Sequence, residues 1–343
     1  MVQLLEERIV RHLLTGSVSP HPGVHASSLS LSPGGMIAIA WFDGTREGAP
    51  DTRIRLARGH DLDAMSIQTV APGGATPSWN PVVSWGEEGL EIFFQRGAEP
   101  SSWRTVRAVE TESGWIEVPC VDVAGRSRGP VRNHVVRTGA GLLAGASDES
   151  RRPWASAVDV RLHGAPVWER EPIAGPPDVD LIQPAVVLWR GGVWAFMRSN
   201  AGHVYMSIRG TDGWSTATPT DLPNNNSGMD VCALDDTYLL AVGNTSTQNW
   251  GPRCPLVLFV SEDGRTWRDL AVLEDGLRSF DDVRLPRAAP GQMFDGSLDG
   301  RGEYSYPSIA VGAGRVHVSY TWQRRAIAVV HAPLDAVRQL LQA

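Results

Sequence analysis

Short apolar runs, each introduced by a Gly or Asp turn, recur along the whole chain: PGGMIAIAWF (33–42), EEGLEIFFQ (87–95), GAGLLAGAS (139–147), RGGVWAFMR (190–198), DDTYLLAVGN (235–244) and GAGRVHVSYTW (312–322). Their turn residues Gly35, Gly89, Gly141, Gly192, Asp236 and Gly314 are spaced by 54, 52, 51, 44 and 78. A Gly/Asp/Arg-rich insertion at about 275–301 accounts for the long last interval. Four tryptophans keep a parallel rhythm, Trp115, Trp168, Trp214 and Trp267, at spacings of 53, 46 and 53. The runs are continuous or alternate with period two, as in strands packed in stacked sheets. A repeat of about 50 residues holding four short strands is the signature of a propeller blade. Six copies predict an all-β fold, a single six-bladed β-propeller across about 15–332. Two unrelated β-sandwiches would not explain six evenly spaced copies. Only the tail, 333–343, reads as helix, with Leu334, Val337, Leu340 and Leu341 at helical spacing. The segment around Arg8–Leu14 is expected to pair with the last blade and close the ring, although its pattern also fits a short helix.

Composition sharpens this picture. The 343 residues exceed the size at which one ordinary core stops growing, about 250–300 residues, so the chain extends by repetition or divides. Gly 36 and Pro 24 mean frequent turns, against a helical bundle. There is no lysine, which removes Schiff-base chemistry and a P-loop. A net charge of −7 argues against a nucleic-acid partner. Cys120, Cys232 and Cys254 are odd in number and widely spaced, fitting neither a disulfide framework nor a zinc site. No apolar run reaches membrane-span length and the first residues carry no signal-peptide pattern, so a cytoplasmic protein with no membrane partner is expected. No cofactor or metal is expected either.

Ser261-Glu262-Asp263-Gly264-Arg265-Thr266-Trp267 resembles an Asp-box, the S-x-D-x-G-x-T-W hairpin of sialidases, one residue shorter; degenerate relatives lie at Ile208–Ser215 and Thr111–Trp115. Asp and Gly make the turn and Trp plugs the blade, so Asp263 is a structural residue. With HASSLSL (25–31), WFDGTREGAPDTRI (41–54), GPVRN (129–133), IQPAV (182–186), LPNNNSG (222–228), RCPLVLFVSEDGRTW (253–267) and EYSYPSI (303–309), the chain resembles the bacterial sialidase-like (BNR/Asp-box, predicted neuraminidase) family from about Val24 to Val330.

That resemblance implies a site. His25 stands where the family has the first arginine of a carboxylate-gripping triad; a neutral imidazole lacks the bidentate fork. Arg198 and Arg253 resemble the other two. Arg46, followed five residues on by Asp51, resembles the segment bearing the acid/base aspartate, with Glu47 in reserve. Tyr306 resembles the nucleophile, with Tyr304, one strand period away and expected on the same face, as competitor. Gln183 takes the position of the glutamate that activates the tyrosine, and an amide cannot take that proton. Glu149 or Asp230 could substitute. Asn133 and Asn226, and also Asn244, lie in loops that could hydrogen-bond sugar hydroxyls or simply make turns.

The resemblance thus implies a carbohydrate substrate and a sialidase-like exo-glycosidase acting on a terminal acidic or related sugar. The two departures leave open a polysaccharide lyase acting on a uronate-containing glycan on the same scaffold. A glycan-binding propeller without catalysis is the third reading.

Overall fold

A computed structural model describes residues 9–14, 23–86, 89–276 and 302–341. Its strands form six antiparallel sheets arranged as a six-bladed β-propeller, followed by one short α-helix, Leu334–Leu341. Five blades follow one another in sequence, within 25–71, 78–119, 135–172, 181–223 and 230–274. The sixth combines Tyr304–Gly312, Arg315–Trp322 and Ala326–Pro333 with the strand Val10–Leu13 at its outer edge. Val10 pairs with His331 and Leu13 with Ala328, so the first and last described strands share one sheet and close the ring. The second strand of every blade is one of the six turn–strand copies. The expected insertion lies almost wholly outside the described residues.

The middle strands of a blade are covered on both faces by neighbouring blades, which is why they read as unbroken apolar runs. Leu239–Asn244 and Leu256–Ser261 are buried at every position. Leu240, Leu256, Tyr304, Tyr320 and Trp322 fill the seam between the fifth and sixth blades, and Phe42, Leu56 and Phe94 that between the first and second. The Asp-box turn is built as its sequence requires. Asp263 Oδ1 accepts from the backbone N–H groups of Arg265 (2.8 Å) and Thr266 (2.7 Å), while Trp267 packs on Phe196.

Four inner strands share a device that matters for the site. Near its start each carries a β-bulge, two residues facing one on the neighbouring strand. The first bulge residue has positive φ: Ala26 (59°), Asn80 (42°), Gln183 (53°) and Tyr306 (51°). In three of them a proline follows, Pro81, Pro184 and Pro307. Proline has no N–H to give to the ladder, so a bulge accommodates it without a lost hydrogen bond. Each bulge turns its side chain out of the regular alternation.

The inner strands begin, and the second-to-third-strand loops lie, at one end of the axis. Further along the axis His134 Nε2 lies 2.9 Å from Asp230 Oδ2 and 3.0 Å from the Ile309 carbonyl. That contact joins the third, fifth and sixth blades. Burial opposes charge on this imidazole, but Asp230 and the carbonyl outweigh it, so its pKa is raised.

Candidate functional site

The bulged Tyr306 stands at the centre of the axial depression. Arg198, near the end of the strand Gly192–Ser199, donates through Nη1 to Tyr306 Oη (3.0 Å) and to Gln183 Oε1 (3.0 Å), and through Nε to Asn226 Oδ1 (3.2 Å). Three guanidinium carbons surround the phenol ring, those of Arg132 at 4.8 Å, Arg253 at 5.7 Å and Arg198 at 5.8 Å from its centroid. Gly228 permits this crowding. A Cβ there would lie 2.8 Å from Arg132 Nε and 3.1 Å from the Tyr306 ring.

Arg132 is held by the carbonyls of Met229 (3.0 Å) and Pro307 (2.6 Å), and its burial brings its pKa down to about 10. It remains charged at neutral pH. Arg253 Nη1 pairs with Glu303 Oε1 at 2.8 Å, and Arg324 Nε donates to both Glu303 oxygens at 3.0 Å. Arg324 also reaches Glu47 at 2.5 Å. Burial alone would push the Glu303 carboxyl up, but Arg324 and Arg253 outweigh it and hold its pKa below the usual glutamate range.

His25 is buried, its ring centroid 4.2 Å from that of Tyr306 and its Nδ1 3.0 Å from Thr321 Oγ1. Burial, then the charges of Arg324, Arg253, Arg132 and Arg198, drive its pKa well down. His25 is therefore a neutral imidazole at neutral pH. It adds no positive charge where the first triad arginine was expected.

The expected site residues divide clearly. His25, Gln183, Arg198, Arg253, Tyr306 and Asn226 meet at the axis, and Asn133 braces them by donating to the Gln183 carbonyl (2.8 Å). Glu47 joins through Arg324. Asp51 and Arg46 occupy the same loop as Glu47 but are exposed, and Asp51 accepts from Thr45 N (2.9 Å) and Thr45 Oγ1. Tyr304 is not on the face of Tyr306. The intervening bulge rotates the chain, so Tyr304 is fully buried in the seam between blades and donates to the Gly276 carbonyl. Asn244 is likewise structural, donating to the carbonyls of Pro255 and Tyr304, both at 3.0 Å.

Of the two substitute carboxylates, Asp230 is engaged by His134. Glu149 lies beside Gln183 and within the field of Arg198, with Ser147 Oγ donating to it at 2.9 Å. Burial raises its pKa, against the opposing pull of Arg198. A carboxyl tuned upward beside a cationic pocket has the properties of a proton donor.

Sequence reasoning did not single out Arg132, Glu303 or Arg324. Arg132 and Glu303 lie inside the segments GPVRN and EYSYPSI, next to residues that were singled out. Arg324 sits at the tip of the sixth-blade hairpin, the counterpart of the loop that carries Glu47.

This arrangement of blades has a counterpart among known proteins. The family described as BNR repeat-like domain matches residues 35–318. The chain belongs to that family. A search of curated proteins finds no match to this BNR repeat-like chain. Solved structures share its fold at low identity. A *Dyadobacter fermentans* protein of unknown function is 13% identical with a TM-score of 0.69, the alignment covering 95% of this chain and 99% of that one. A *Trypanosoma rangeli* sialidase mutant displaying trans-sialidase activity is 12% identical with a TM-score of 0.69, covering 97% and 60%. The K499G mutant of NanB sialidase from *Streptococcus pneumoniae* is 8% identical with a TM-score of 0.66, covering 93% and 70%. The BNR repeat-like chain thus spans about three fifths of the trypanosomal enzyme.

Proposed function

We propose that this protein is an exo-acting glycosidase that releases a terminal acidic sugar from a glycan. One observation carries the reading: the Tyr306 oxygen is bonded to Arg198, and the guanidinium groups of Arg132, Arg198 and Arg253 surround its ring. Such a pocket favours an anionic ring and places an electron-rich oxygen where an anomeric carbon gains positive charge. Membership of the BNR repeat-like family and the sialidase-like fold support a glycan-related role. His25 and Gln183 are neutral, which leaves the anionic group of the sugar to these arginines.

Turnover of a panel of aryl glycosides of acidic sugars tests this reading. Release of the aryl alcohol from at least one is expected, with most of it lost in Tyr306→Phe. No release from any member would overturn the proposal. A second reading rests on the contact of neutral His25 with Tyr306 beside an amide rather than a carboxylate. That set suits β-elimination from a uronate, in which a His or Tyr moves the protons and an arginine neutralises the carboxylate. Ultraviolet absorbance of an unsaturated product on uronate polymers would mark a lyase instead.

A further inference from the structure

Beside the axial site, between the second and third blades, lies a cleft of about 240 Å³. Gln95, Trp103, Thr105, Ser127, Arg128 and Glu149 are among its lining residues. Glu149 is common to both places: it opens into the cleft and borders Gln183 at the axis. Two buried donors in the cleft wall, Trp103 Nε1 and Arg128 Nε, have no hydrogen-bond partner. Buried donors are rarely left unsatisfied without reason. Trp103 is fixed by its neighbour Trp79, ring centroids 5.5 Å apart.

Charge separates the two regions. The arginines of the cleft are already neutralised, Arg128 by Asp122 at 2.7 Å and Arg170 by Asp159 at 2.7 Å. Asp148 adds negative charge, so the cleft disfavours an anion that the axis attracts. A partly buried indole with free donors beside it is suited to a neutral sugar ring, whose hydroxyls accept hydrogen bonds and whose C–H face packs on the aromatic surface.

We infer that this cleft holds the neutral sugar to which the acidic sugar is linked, and that Glu149, at the junction of cleft and axis, is the proton donor to the oxygen joining them. The inference rests on the glycosidase reading. The Glu149 O–H gives its proton to the glycosidic oxygen as the bond from that oxygen to the anomeric carbon breaks, the electron pair staying on oxygen. The neutral sugar leaves as an alcohol. A water then supplies its oxygen to the anomeric carbon and its proton to the Glu149 carboxylate, restoring the acid. The raised pKa of Glu149 agrees with this role.

Two measurements on the full chain test it. The first compares the acidic sugar turned over in the aryl panel when linked to nitrophenol and when linked to lactose. Glu149→Gln is expected to lower kcat on the lactose conjugate by about 10²–10⁴-fold and much less on the nitrophenyl glycoside, whose leaving group needs little proton assistance. Trp103→Phe, which keeps the packing on Trp79, is expected to lower the lactose-to-nitrophenyl ratio of kcat/KM about tenfold. Equal losses on both substrates, or none, would overturn the inference while leaving the glycosidase reading standing. The second measurement follows tryptophan indole N–H signals by NMR as lactose alone is added. A shift confined to the signal that Trp103→Phe removes is expected. Such a shift in a protein that turns over no acidic glycoside would end the glycosidase reading and the role of Glu149, keeping the cleft as a neutral-sugar site. No shift of that signal would overturn the cleft assignment.

Discussion

At the scale of single residues, Arg253 and Gln183 offer the sharpest experiments. Arg253 forms a buried, charge-assisted pair with Glu303, which Arg324 also holds. Arg253→Lys keeps the charge but loses the planar fork, and a lost charge-assisted hydrogen bond costs about 1.5–3 kcal/mol, or about 10- to 150-fold in kcat/KM where substrate shares that geometry. Kinetics on the best aryl glycoside check this; a wild-type value would mean that Arg253 only supports Glu303. Gln183→Glu would place a carboxylate on Arg198 Nη1, competing with Tyr306 for the same donor. It is expected to raise KM for an acidic substrate, by repulsion, more than it lowers kcat. Much of this constellation was legible in the sequence, because Gln183, Arg253 and Tyr306 each sit in a segment with family character and Arg198 ends one of the turn–strand copies. Arg324 was not. Its neighbours Gln323 and Arg325 are as polar as it is, and only the sixth-blade hairpin turns that one guanidinium onto Glu303.

At the scale of elements, the bulges explain both a success and an error. A Gly or Asp turn before each second strand marks the blade, so six copies revealed six blades. The first strand gives no such punctuation, and simple alternation placed Tyr304 and Tyr306 on one face; the extra residue in the bulge separates them. Gln-Pro and Tyr-Pro at strand starts, repeated as Asn80-Pro81, were the readable trace of that device. The bulge in the fourth blade also leans on its neighbour. A Cβ on Gly145 would come 2.0 Å from the Pro184 carbonyl oxygen, a backbone atom that cannot swing aside. Gly145→Ala is therefore expected to destabilise the fold by about 1–3 kcal/mol, as overpacking does. It should also displace Gln183 and reduce activity. Thermal unfolding and the aryl-glycoside assay, run on the same preparation, check the two parts.

Across the whole molecule, buried histidines set the response to acid. His317 and His331 lie in the sixth blade with ring centroids 5.8 Å apart, and His25 lies at the axis. Burial lowers the pKa of all three, in His317 to about 4, where His331 and Arg315 add repulsion. The unfolded chain takes up protons that the folded chain refuses, so their contribution is complete above about pH 6.5 and declines as pH falls. For His317 the decline extends towards pH 4 and amounts to about 3 kcal/mol. Urea titrations across this range should show it, and His317→Leu should flatten the curve. His134 works in the opposite sense: with its folded pKa raised, it stabilises fully below about pH 6.5 and loses that contribution as pH rises through the elevated value. His134→Gln should consequently cost more at about pH 6 than at about pH 9.

Closure of the ring has a consequence in time as well as in space. Synthesis proceeds from the N-terminus, and domains tend to fold in that order. Val10–Leu13 is made before every other described strand, yet its partner Ala326–Pro333 is the last of them to be made. Five blades can hold complete sheets while the earliest strand still waits with open hydrogen-bonding edges. Closing this ring therefore means recovering its earliest strand, and a ribosome that stops short of residue 326 leaves a row of blades with an unsealed seam.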